Sequence, residues 1–195
     1  MPSLSPPTSN PSSPSGVPTV ETPRLRLRPH RRDDFPACIA LWADPYVTRY
    51  IGGRPLTREE VWARFLRYAG SWHWLGFGYW AVEELSSAQF VGELGYAQNE
   101  RTFDPSLALV DGAGRTMPEV GWILAPQFHG KGYATEAARR ALDYAFTDMG
   151  RDVVISLIRP ANVRSAQVAR RLGYVHARDV ELLGSTANVW EKRRP

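Results

Sequence analysis

The chain of 195 residues has one cysteine, Cys38, which excludes an internal disulfide framework and points to a reducing compartment. Its four histidines include His73 and His129, neither with a partner at metal-ligand spacing, so no metal is expected. No apolar run approaches the roughly 20 residues that span a bilayer, and no basic segment followed by an apolar one marks an export signal. Lysine is nearly missing, with two against 22 arginines. The expectation is a cytoplasmic protein without membrane contact.

The formal net charge is +4, carried by arginines scattered along the chain instead of gathered in one block. That scatter argues against a nucleic-acid partner, while a basic surface suits a phosphate-bearing cofactor or an acidic acceptor protein. A hydrophobic content of 43% over this length supports one core. Residues 1–20 are mostly Pro, Ser, Thr, Asn and Gly and bury too little apolar surface to offset the entropy of ordering. A disordered tail over 1–20 and one domain over 21–195 follow.

Leu25 and Leu27 alternate with arginines, as in an edge-like first strand. Asp33 or Asp34 is placed to cap a helix with Ile39, Leu41 and Trp42 inside, ended by Asp44-Pro45. Thr57 and Glu60 form a capping-box pattern ahead of Val61, Phe65, Leu66 and Tyr68. Two strands, 76–84 and 89–96, then flank the polar turn 85–88. Residues 99–118 have no clear period and read as a long insertion. Val153 to Ile158 is a β-rich run, Asn162 opens a helix stopped by Gly173, and a hairpin around Gly184-Ser185 closes the chain. The aromatic run Trp72, Trp74, Phe77, Tyr79 and Trp80, with Trp122, reads mostly as core, with Trp72 and Trp74 placed to wall a pocket.

The stretch that organises the rest is Glu119 to Ala137. Glu119 to Leu124 is a short apolar run ending near Pro126, and Ala134, Ala138, Leu142 and Phe146 recur at helical spacing behind a glycine-rich turn. Gly130 and Gly132 allow a tight turn whose N–H groups approach an anion, with the helix dipole behind them and the Lys131 charge beside them. The chemistry on offer is pyrophosphate binding. The nucleotide-hydrolase loop fails because no Ser or Thr follows Lys131, and the dinucleotide fingerprint fails because Thr135 stands where a small residue is needed.

The run from His129 to Ala134 resembles the Q/R-x-x-G-x-G/A acyl-CoA signature of the Gcn5-related N-acetyltransferase (GNAT) superfamily, read with His129 at its first position. His-Gly-Lys-Gly-Tyr-Ala-Thr-Glu-Ala is similar to the branch of ribosomal-protein N-terminal acetyltransferases, and the resemblance runs from about Thr22 to about Arg193. It implies a single-domain α/β (α+β) fold, with a mixed, mostly antiparallel sheet of six to seven strands and about four helices. It also implies acetyl-CoA as cosubstrate and a metal-free transfer to a primary amine by direct attack in a ternary complex.

By the same resemblance, Trp122, Ile123 and Leu124 hold the pantetheine through their main chain. His129, Gly130, Lys131, Gly132, Tyr133, Ala134 and Thr135 hold the pyrophosphate, and Asn162 contacts the cofactor arm. Many members place a tyrosine acid seven residues after the asparagine; here that position is Ala169. Ser165, a serine also found in the ribosomal-protein branch, is its natural substitute as a catalytic group and thiol contact. A protonated amine needs a base, for which Glu119 is the first choice and Glu93 and Glu181 the alternatives. The acceptor is left open between a protein N-terminal amine and a small amine such as an aminoglycoside or polyamine. A homodimer is compatible with this reading. A non-catalytic CoA-binding sensor is the rival from another class, because the tyrosine acid is missing.

Overall fold

The computed structural model describes residues 16–99, 114–182 and 184–195. Its strands are β1 (Val20–Glu21), β2 (Leu25–Arg28), β3 (Tyr79–Glu84), β4 (Phe90–Ala97), β5 (Glu119–Leu124), β6 (Val153–Ile158), β7 (Val175–Leu182) and β8 (Ser185–Arg193). They form one sheet in the order β1-β2-β3-β4-β5-β6-β8-β7. Every neighbouring pair is antiparallel except β5 and β6, which run parallel. The helices are α1 (Phe35–Ala43), α2 (Pro45–Thr48), α3 (Arg58–Leu75), α4 (Tyr133–Thr147) and α5 (Val163–Arg171).

The single-domain α/β architecture is as expected, with two additional short elements. Residues 1–15 of the expected tail lie outside the described residues, but the chain is already held ahead of residue 21. Val20 pairs with Leu27, and Trp80 donates its indole N–H to the Pro18 carbonyl at 2.8 Å. This pairing makes β2 an inner strand, not the edge. Asp44-Pro45 ends α1 and also begins α2: the Asp44 carboxylate accepts from the Tyr46 amide at 2.7 Å, and Pro45 takes the first helical position. Most of the 99–118 insertion lies outside the described residues.

The sheet carries a cluster on each face, and a third, with Met117, Ile155, Val180 and Val189, lies at its β6–β8–β7 end. Ala138, Ala141, Leu142 and Ala145 of α4 and Ala166 and Ala169 of α5 pack with Leu25, Trp80, Leu94, Val120 and Val154. On the opposite face Cys38, Leu41 and Trp42 of α1 and Val61 of α3 meet Ile123. The small residues of α4 let the helix approach the sheet closely, and Trp80 and Tyr96 fill the space with rings that bury about 150–250 Å² each. Leu66 is 52% exposed and Trp74 82% exposed, whereas Trp72 is buried with its indole N–H on the Tyr79 carbonyl at 2.9 Å. Trp72 and Trp74 therefore do not wall a pocket together.

Thr57 and Glu60 form the expected capping box: the Thr57 amide donates to Glu60 at 2.8 Å and the Glu60 amide to the Thr57 hydroxyl at 3.3 Å. Asp34 is not the expected side-chain cap. Its carboxylate is taken by Arg28, whose guanidinium donates at 2.7 and 2.8 Å and also reaches Glu83 at 2.7 Å. Burial alone would raise the Asp34 carboxyl, but the bonds from Arg28 and the Arg31 amide outweigh it and hold the group below its ordinary value. At the other end, Leu182 partners Ser185, so the β7–β8 turn falls one residue ahead of Gly184-Ser185.

Candidate active site

A fork between two parallel strands dominates the site. β5 pairs with β4 over six residues but meets β6 only at Glu119 and Ile155. The Ile155 amide donates to the Pro118 carbonyl at 3.0 Å, and the buried Ser156 hydroxyl bonds the Val120 carbonyl at 3.0 Å. Beyond that point the strands part. The Ala125 amide bonds the Val91 carbonyl at 2.9 Å, which fixes the phase of the antiparallel ladder. Main-chain groups of Ile123 and Gly121 then face β4, and those of Val120, Trp122 and Leu124 face the fork. The expected trio thus splits, because the alternation of the strand turns Ile123 away.

Beyond the fork, Pro126–Phe128 forms a single 3-10 turn, and Gly130 and Gly132 adopt φ of 79° and 81°. No atom stands within 4 Å of a Cβ built on Gly130, and only the Arg24 guanidinium, at 3.6 Å, stands near one built on Gly132. The left-handed backbone, not crowding, is what calls for glycine at both positions. Gly132 is the N-cap of α4, so the free amides of the first turn open onto this loop. His129 Nε2 lies 2.8 Å from the Leu124 carbonyl, which ties the loop to the end of β5.

The acyl-CoA signature is better read from Gln127. Gln127-Phe128-His129-Gly130-Lys131-Gly132 has Gln at the first position and both glycines at theirs, so His129 is the third residue of the signature and not its first.

A tether that the sequence reading missed holds the loop from below. Arg24 donates to Glu136 from its side chain at 2.7 Å and from its amide at 3.0 Å, and to the Lys131 carbonyl at 3.0 Å. Thr22 adds a hydroxyl bond to Glu136 at 2.6 Å. Burial tends to raise the Glu136 carboxyl, but Thr22 and Arg24 hold it below its usual value, so a carboxylate in the first turn of α4 is charge-balanced. Tyr133 donates to Glu84 at 2.5 Å, and the Lys131 ammonium lies 5.0 Å above the Phe128 ring. Alongside, Gly132, Thr135, Arg139, Arg140 and Arg171 line a cavity of about 610 Å³. Its three arginines were also missed; they share this cavity only through the packing of α4 beside α5.

Asn162 caps α5, its side-chain oxygen accepting from the Ser165 amide at 3.3 Å. Ser165 is half-buried in the first turn, and Ala169, one turn further along the same face, is fully buried. Tyr46 of α2 spans the mouth of the fork, its hydroxyl bonded by Arg164 and its ring 5.9 Å from His129.

The three carboxylates occupy different environments. Glu93 is 1% exposed and accepts from the Trp42 indole at 2.9 Å and the Tyr68 hydroxyl at 2.7 Å. Burial would raise it, yet His30 first, then Tyr68 and Trp42, hold its carboxyl below the usual value. Glu181 is exposed on β7, at the far edge of the sheet, and accepts from Thr186 at 2.9 Å. Glu181 does not border the fork. Glu119 does: it is half-buried at the point where β5 and β6 meet, and it accepts from Asn99 at 2.9 Å.

The polar core around Glu93 was not visible in the sequence. His30, Cys38 and Glu93 place ligand-type atoms within 4.8 Å of one another. Burial first, and the Glu93 charge next, push the Cys38 thiol up and keep it protonated, while Glu93 is already bonded to two donors. The cluster has the chemistry of a buried hydrogen-bond network.

The acetyltransferase (GNAT) domain family matches residues 24–175. FsC-acetyl coenzyme A-N(2)-transacetylase of Aspergillus fumigatus is 33% identical over 163 residues, 82% of this chain and 66% of the relative. The crystal structure of an acetyltransferase from Agrobacterium tumefaciens superposes with a TM-score of 0.77 at 28% identity, covering 91% of this chain and 95% of that one. Ribosomal-protein-S5-alanine acetyltransferase from Vibrio fischeri shares the fold at 17% identity, with a TM-score of 0.66 over 90% and 96% of the two chains.

Proposed function

The chain belongs to the GNAT acetyltransferase family and is an acetyl-CoA-dependent N-acetyltransferase, and from that premise we propose how its fork and loop serve the transfer. The observation that carries the reading is the junction of two features. Main-chain groups of Trp122 and Leu124 face an opening beside β5, and two left-handed glycines lead straight from it to the free amides of α4. A strand-like amide chain ending in a pyrophosphate has the chemistry to fit both.

When bound, acetyl-CoA supplies a thioester carbonyl as the electrophile. The Trp122 main chain and the Leu124 amide pair with the pantetheine amides as a neighbouring strand would, while the Leu124 carbonyl stays with His129. Gly130, Lys131, Gly132, Tyr133, Ala134 and Thr135, with His129 bracing the loop and Gln127 opening it, hold the pyrophosphate by main-chain N–H groups and the Lys131 charge. Arg139, Arg140 and Arg171 offer charge to a further phosphate. Asn162 fixes the α5 turn that presents Ser165 to the thiol end, and Ser165 supplies a hydroxyl where the tyrosine acid is replaced by Ala169.

Glu119 takes the proton from the incoming ammonium, since of the three candidate carboxylates it alone borders the fork and is half-exposed. Glu93 is too deeply bonded to exchange protons with an acceptor. The acceptor is a primary amine, and the ribosomal-protein resemblance favours a protein N-terminal amine over a polyamine or aminoglycoside. A thiol-release assay over peptides with different N-terminal residues, polyamines and aminoglycosides tests this. Release with a peptide class supports the proposal, release with only small amines moves the acceptor to that class, and cofactor binding without any release turns the protein into a sensor.

A further inference from the structure

Tyr79 opens β3 in a row that is otherwise without side chains: it pairs with Gly95 of β4, and Gly95 pairs with Gly121 of β5. Its ring reaches across β4, because a Cβ built on Gly121 would stand 2.1 Å from Tyr79 Oη and 3.3 Å from Cζ. Gly121 is not among the residues with positive φ, so its backbone would accept any residue. Space for the phenol is what requires glycine there.

The hydroxyl is held in place from behind. Tyr68 of α3 stacks on the Tyr79 ring at 4.9 Å and 17°, and His30 stacks on Tyr68 at 4.9 Å and 26°. Tyr68 is anchored in turn on buried Glu93 at 2.7 Å. Three rings and a carboxylate fix one hydroxyl over one glycine of the forked strand, two residues along from Glu119 and on the same face. Among the described residues Tyr79 Oη has no hydrogen-bond partner, although the residue keeps part of its surface exposed. Burial first, and the Glu119 charge next, push its acidity down to that of a firmly neutral phenol, with Arg64 and Arg67 of α3 opposing and Glu93 of β4 adding to the effect.

We propose that Tyr79 positions the acceptor: its hydroxyl oxygen accepts a hydrogen bond from the primary amine and aims the nitrogen at the acyl carbon beside Glu119. The inference rests on the transferase reading above. The ammonium gives one proton to the Glu119 carboxylate, and the freed lone pair forms the N–C bond. The C–S bond breaks, the nitrogen gives up its second proton to water to leave the neutral amide, and the departing thiolate takes up a proton relayed through the Ser165 hydroxyl. Tyr79 stays neutral throughout.

Tyr79→Phe keeps the ring and its stacks and removes only the oxygen. It is expected to lower kcat/KM for the amine by about tenfold or more, while the acetyl-CoA Kd stays within about twofold of wild type. Gly121→Ala is expected to lose both stability and turnover. In a Tyr79→Phe background the same alanine meets Cζ at 3.3 Å and Cε1 at 3.8 Å instead of the hydroxyl at 2.1 Å, so Tm should recover while turnover stays low. Wild-type turnover in Tyr79→Phe, or a matching loss of acetyl-CoA affinity, overturns the assignment, and so does a Gly121→Ala defect unrelieved by Tyr79→Phe. A wild-type protein that acetylates no amine would instead remove the transferase reading itself, and this inference with it.

Discussion

Replacing Gly132 by Asp places a carboxylate at the N-cap of α4, where the loop meets the free amides. Sterics cannot decide the outcome, because the nearest atom to a Cβ there is the Arg24 guanidinium at 3.6 Å. Two other effects do. The residue sits at φ 81°, where a side chain costs about 1–2 kcal/mol in folding stability. A carboxylate about 4 Å from a phosphate is disfavoured by about 4 kcal/mol at the effective dielectric of a protein surface. Arg24, half-exposed and already paired with Glu136, offsets part of that repulsion, and water screens more. A net loss of about 1.4–2.7 kcal/mol, or 10- to 100-fold in acetyl-CoA Kd, is expected. Calorimetry on Gly132→Asp beside Gly132→Ala separates the causes, since alanine carries the same backbone cost without the charge. Both should lower Tm by a few degrees, and only aspartate should weaken binding strongly. Equal affinities in the two variants would refute the placement of a phosphate at this turn.

Ser165→Ala is expected to lower kcat by about 10- to 100-fold while acetyl-CoA affinity changes little, read by steady-state kinetics beside calorimetry. Glu119→Gln should lower kcat/KM most at neutral pH and recover as pH rises and the free amine supplies itself, a shift visible in the pH–rate profile. Asp34 is held below its ordinary value, so its contribution to stability is complete above about pH 4, near the unfolded pKa, and is lost as pH falls through the folded one. Asp34→Asn should therefore lower Tm at pH 7 and flatten the acid limb of the Tm–pH curve. Arg28→Met tests the same network: Asp34 is left buried without its cation while Glu83 keeps Arg26 at 3.0 Å, and the expected loss is about 3 kcal/mol, the lower end for a broken buried pair.

Features set by local chemistry were legible in the sequence. The Thr57–Glu60 box, the β5 run, the glycine turn and the Asn162 cap each depend on residues within a few positions of one another. What depends on distant contacts was not. β1 exists because Val20 finds Leu27, and Asp34 lost its capping role to Arg28 across the β2 end. Glu136 and Arg24 stand 112 residues apart in the chain, so their hydrogen bonds leave no periodic trace. Strand order removed Glu181 from the site: a hairpin at the chain end gives no sign of which strand lies outermost. The alternation of β5 was readable, but its phase needed the Val91–Ala125 bond, and only that bond turns Ile123 away from the fork. Gly95 and Gly121 looked like ordinary strand glycines until the register placed them in one row with Tyr79.

Calorimetric titration of the full chain with acetyl-CoA tests the central claim most directly, namely that the β5–β6 fork and the Gly130–Gly132 turn together form a cofactor site. Saturable binding at one site per chain, weakened by Gly132→Asp, is the predicted result. No binding by the wild-type protein, or binding that Gly132→Asp leaves untouched, would contradict it.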